Sequence, residues 1–117
     1  MLFDLTKLEK NTGNNHMLAI EAIEYFIESI PEGLQQIKKA INSHRWSRAA
    51  DTAHQMLTTV SIVGITEMRK PLEDIEKLAL KEHSNGKIDH LLDQIGKLYA
   101  ESYVEMQLKQ KELQDKI

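Results

Sequence analysis

The sequence predicts an all-α protein, an antiparallel four-helix bundle with one or more short additional helices at its N-terminus. Three observations carry that prediction. Apolar residues recur at helical spacing through every long segment, and no segment shows the alternation, β-branched clusters and hairpin turns of a sheet. The connecting segments are short, so successive helices reverse direction and bury their apolar stripes against one another. A length of 117 residues suits one domain with one core, and 41% hydrophobic and 28% charged residues with two prolines describe a folded globular chain.

Taken in order, Leu2, Phe3, Leu5 and Leu8 cluster on a short N-terminal helix. A helix of about nine residues needs the bundle to support it. The segment NTGNN (11–15) closes this N-terminal unit of about residues 1–14, and a new helix starts near Asn15. From there to Ile30, Ala19, Ile20, Ile23, Phe26, Ile27 and Ile30 form one broad apolar face. Leu18, Ala22 and Tyr25 form a thinner stripe roughly opposite. Either the N-terminal helix covers that stripe or it is open as a docking patch for a partner.

Pro31 predicts a break and suits the first turn of a following helix, whose Leu34, Ile37 and Ile41 run to about Ser43. Trp46 begins the next helix as a packing residue, and Gly64 ends or bends that helix. Met68, Leu72, Ile75, Leu78 and Ala79 define another, with Pro71 predicting a kink or a late start and the Asn85-Gly86 turn a stop by about Ser84. From Lys87 onward, Ile88, Leu91, Leu92, Ile95, Leu98, Tyr99 and Met106 share a face. Carried to Ile117, that helix would span roughly 45 Å. A compact bundle of this size would not cover it, so residues 107–117 are expected to project or fray.

Composition excludes several function classes. With no cysteine there is no thiolate zinc site and no thiol nucleophile. A formal net charge of −3 argues against a phosphate-backbone binder, so nucleic acid is not the expected partner. The chain has no apolar run long enough to span a bilayer and no signal-peptide start, and this segment is expected to be soluble and cytoplasmic without membrane contact. Its five histidines show none of the pairings of a helical metal site, so no metal is expected. Without a phosphate-cradling glycine loop it should not bind ATP by itself.

The histidine that stands out is His54. On a helix of about 100° per residue, Ala49, Thr52, Met56, Thr59, Val60 and Val63 fall on the side away from it. Ala50, Asp51, Leu57, Thr58 and Ser61 lie along its own side, at helical offsets of three, four and seven. His54 is thereby presented to solvent among mostly small residues, and an imidazole is a good nucleophile near neutral pH. Asp51, at i−3, is placed either to orient the imidazole or to stand as a solvated helix acid. Ser61 is too far along the axis to act as a catalytic partner.

Ala53-His54, a helical continuation, Gly64 ten residues after the histidine, then Met68 and the pair Leu72-Glu73 resemble the histidine phosphotransfer (HPt) domain of bacterial two-component phosphorelays. The run EAIEYFIESIPEGLQQIKKAI, followed by Trp46 eight residues before His54, is similar to the same family's preceding helices. The resemblance implies that His54 accepts a phosphoryl group from the aspartyl phosphate of a receiver domain and passes it to another receiver. It implies no active site and no cofactor here, the Mg²⁺ belonging to the partner, which is a response-regulator receiver that can be part of a hybrid sensor kinase. A monomer is expected, either free or as the cytoplasmic portion of a membrane-bound kinase.

In that reading Leu57 meets the receiver's apolar rim, Ala50 and Thr58 keep the approach open, and Leu18, Ala22, Tyr25 and Ser61 dock the partner. Thr58 can also donate to a phosphoryl oxygen. Relatives often carry a lysine three and a glycine four residues after the histidine, where this chain has Leu57 and Thr58. The cation for the phosphoryl group is then either supplied from elsewhere or absent. The rival reading is a helical interaction or scaffold domain without phosphotransfer.

Overall fold

Five α-helices make up the computed structural model, which describes residues 5–83 and 86–117. They are α1 (Leu5–Asn11), α2 (His16–Asn42), α3 (Trp46–Val63), α4 (Arg69–Leu80) and α5 (Lys87–Gln114), with one 3-10 turn at Thr66–Met68 before α4. No strand occurs among the described residues. Helices α2 to α5 pack as a four-membered ring in which α2 touches α3 and α5, α3 touches α4, and α4 touches α5. The expected contributions of Leu2 and Phe3, and the turn at Ser84 and Asn85, lie outside the described residues.

Asn15 starts α2 as its sequence position predicts, its side-chain oxygen accepting the Leu18 N–H at 3.2 Å. Pro31 does not break the helix. Helix α2 runs through it as one piece of 27 residues, against the expectation of two shorter helices. Proline has no N–H to give to the carbonyl four residues earlier, which is that of Ile27. The Tyr99 hydroxyl, reaching across from α5, donates to this carbonyl at 2.7 Å. A tertiary hydrogen bond thus replaces the missing helical one, and the Phe26 and Tyr99 rings pack beside it with centroids 5.8 Å apart.

Helix α5 also differs from expectation. It stays helical to Gln114, and Leu113 is buried as part of the core. Its 28 residues make about 42 Å of helix and the 27 residues of α2, against which it packs, about 40 Å, so the two helices are matched in length.

The α2–α3 contact is close at Gly33, where a Cβ would lie 2.6 Å from the Met56 sulfur. Gly64 ends α3 in the left-handed region at φ 79°, a conformation glycine adopts without a Cβ penalty. Pro71 falls in the first turn of α4, which accordingly starts late, at Arg69. Helix α1 packs on α3, and the Asn11 amide donates to the carbonyls of Ser61 and Ile62 at 3.3 and 3.2 Å.

Candidate functional site

The middle of α3 is held from both sides. Ala49, Ala53, Met56, Val60 and Val63 enter the core, so the opposite face of the helix is turned outward. His54 stands on that outer face with 69% of its side chain exposed. Its Nδ1 lies 3.1 and 3.3 Å from the two carboxylate oxygens of Glu76 on α4. A carboxylate accepts only, so the contact is made with the proton on Nδ1. In the neutral imidazole Nε2 then keeps its lone pair, which is the arrangement a nucleophile needs.

Glu76 is the site residue that sequence reasoning missed. It lies 22 positions from His54 on another helix, where no spacing rule connects them. The only local sign is its place beside the apolar stripe of α4, flanking Ile75 and Ala79, which are buried against α3 and the rest of the core.

The other expected residues divide. Thr58 and Asp51 are exposed on the outer face. Asp51 makes no hydrogen bond or ion pair with His54 among the described residues, and the orienting part proposed for it falls to Glu76. Ala50 is buried, with 3% exposure, and so does not border the approach to His54. Leu57 is half-buried and packs against the core, not free beside the imidazole as the helical wheel placed it. A wheel drawn for a single helix does not contain the neighbouring helices, and α3 packs against both α2 and α4.

Leu18 and Tyr25 are 49% and 61% exposed, so α1 leaves this stripe open and packs on α3 instead. With Thr58 and Ile62 across the seam, Ala22 and Tyr25 line a shallow groove of about 310 Å³ beside the His54 face. Ile62 was not foreseen, although it is one helical turn beyond Thr58. Ser61 is half-buried, its carbonyl taken by Asn11, and so belongs more to the α1–α3 contact than to this groove.

The charge that faces His54 is that of Glu76. Besides Glu76, Glu73 lies one turn back on α4, in an ion pair with Arg69 at 3.7 Å. No lysine or arginine among the described residues forms an ion pair with Glu76. No group of three His, Asp or Glu among them is placed to hold a metal ion, and no described helix is long and apolar enough to cross a membrane.

The Hpt domain family matches residues 21–112. No curated protein matches the chain. Among solved structures, the chain is similar to the HPT domain of a hybrid sensor histidine kinase from Shewanella, at 20% identity and a TM-score of 0.70, over 93% of this chain and 95% of that one. That likeness is one of fold, and it extends beyond the family match to nearly the whole bundle.

Proposed function

Because the chain belongs to the Hpt domain family, whose modules carry phosphoryl groups on histidine in phosphorelays and are not catalysts, we propose that His54 is the residue that carries the group here. The observation behind this is the pairing of its Nδ1 with Glu76, which in the neutral imidazole directs the Nε2 lone pair to an exposed helix face. Its partners are receiver domains of response regulators or hybrid kinases, met in the cytoplasm, and the monomer suffices.

The Nε2 lone pair attacks the phosphorus of the receiver's aspartyl phosphate in line. As the N–P bond forms, the P–O bond to the aspartate breaks and the aspartate carboxylate is the leaving group; Mg²⁺ held by the partner would offset the charge on that carboxylate. The Nδ1 proton stays between the imidazole and Glu76, whose negative charge balances the cationic ring. A second receiver reverses these bond changes and collects the group. Positioning and charge stabilisation dominate such transfers, and this chain contributes an oriented nucleophile while the partner contributes metal and leaving group. Thr58 borders the approach, and Leu18, Ala22, Tyr25 and Ile62 form the apolar part of the docking face, with Ser61 at its margin.

The test needs no known partner. Wild type and His54→Gln are incubated with phosphoramidate, and acid-labile phosphate is followed on intact protein by mass. Label on wild type and none on the variant is expected. Equal labelling of both, or a folded wild type that stays unlabelled, would overturn the assignment.

A further inference from the structure

The docking groove does not stop at Tyr25. Tyr25, Gln55 and Thr59 also line a second, polar stretch of about 170 Å³ along the α2–α3 seam, floored by Gly33 and Met56 and carrying one carboxylate, Glu32, which accepts from the Gln36 amide at 3.2 Å. Gln36 belongs both to that stretch and to a third of about 580 Å³ at the α2–α3 turn, walled by Lys39, Arg45 and Arg48. One furrow therefore runs beside His54 from an apolar end at Ala22 and Ile62 to a cationic end. Lys39, Arg45 and Arg48 form no ion pair among the described residues, in a chain whose net charge is −3. Asp51 and Glu82 border the opposite side of Arg45 and Arg48 without reaching salt-bridge distance.

Resting on the phosphocarrier reading above, we propose that this cationic end is an electrostatic docking site for the acidic rim of the receiver's active site, and that it fixes the partner's orientation along the furrow. The chemistry of the partner supplies the complement. A domain that holds Mg²⁺ beside an aspartyl phosphate gathers carboxylates to do so, and the phosphoryl group adds further negative charge. Such a rim meets the Glu76 carboxylate beside His54 unfavourably unless cations nearby offset it, and the three unpaired ones offer that charge. Arg48 is six residues before His54 on the same helix, about 9 Å along its axis. A standard protein interface of about 800 Å² per partner is roughly 30 Å across, which covers both. The apolar end supplies area, and the cationic end speeds encounter and rejects receivers with a basic rim.

The experiment is stopped-flow phosphotransfer from the purified, Mg²⁺-charged phospho-receiver that labels wild type fastest in a panel spanning acidic and basic rims. Arg45→Glu/Arg48→Glu should slow the second-order rate about tenfold at low ionic strength, where the Debye length is ~30 Å, and the gap should close in about 1 M salt, where it is ~3 Å. Arg45→Gln/Arg48→Gln should fall between, with helicity by circular dichroism unchanged in both, and the fastest donors should have acidic rims. A rate unchanged by charge reversal, a loss independent of salt, or a preference for basic-rimmed donors overturns the proposal. So does a wild type labelled by phosphoramidate but by no receiver. If phosphoramidate leaves wild type unlabelled, it is the carrier assignment that fails.

Discussion

Replacing Glu76 by alanine removes the acceptor that holds the Nδ1 proton of His54. The imidazole is then free to change tautomer and rotamer, and only the form with Nε2 unprotonated and outward can attack. The magnitude follows from exposure: with His54 69% exposed and Glu76 27%, the contact is a surface one. Surface pairs contribute about 0.5–1 kcal/mol, which at a factor of ten per ~1.4 kcal/mol is a two- to fivefold change in the reactive population. Glu76→Ala should therefore slow labelling by phosphoramidate about two- to fivefold, whereas Glu76→Gln should slow it less, because the amide oxygen still accepts from Nδ1. The two variants separate geometry from charge. With the carboxylate gone, phospho-His54 no longer faces a like charge, and in Glu76→Gln it should persist longer than in wild type. Nitrogen-15 spectra of the imidazole give an independent reading. A proton found on Nε2 in wild type, or a Glu76→Ala protein labelled at the wild-type rate, would refute the orientation argument.

Two further outcomes follow from the structure. Leu57→Lys keeps an aliphatic stem against the core while its ammonium reaches solvent near His54, so phospho-His54 should decay more slowly, and an unchanged or shorter lifetime would count against an uncompensated phosphoryl charge. Tyr99→Phe should cost about 1–1.5 kcal/mol in urea unfolding by leaving the Ile27 carbonyl without its donor, and markedly less in a Pro31→Ala background, where the restored backbone N–H takes over; equal costs in both backgrounds would sink this account.

The fold was legible because its signals are local. Helical spacing of apolar residues, Asn15 as a cap, Gly64 as a stop and Pro71 in a first turn are each written in a few consecutive residues, and the structure uses them as written. His54 was legible for the same reason, since one helix suffices to turn it away from the core. What escaped depends on other helices. Glu76 reaches His54 only through the packing of α4 on α3, and the packing of neighbouring helices on α3 buries Ala50 and half-buries Leu57. Pro31 read as a break because the donor that compensates it, Tyr99, lies 68 residues downstream on α5.

That compensation bears on the docking face as well as on the fold. A break at Pro31 would place Leu18, Ala22 and Tyr25 on one helix and Gln36 and Lys39 on another, free to diverge in direction. Because α2 continues through Pro31, these residues share one axis and lie along α3 in a single line. The Tyr99 hydroxyl supports the helix at the carbonyl the proline would otherwise leave bare, and two residues past the proline Gly33 lets α2 close on Met56. The α2–α3 seam beside His54 is thus carried by one continuous helix and closely packed at its middle, with an apolar end and a cationic end on the same element. A break at Pro31 would let a partner engage either end alone, whereas a continuous α2 ties engagement of both ends to one orientation, the one that brings the partner's phosphoryl group over Nε2. The helix that departs most from its sequence expectation is therefore the one on which the proposed selectivity depends.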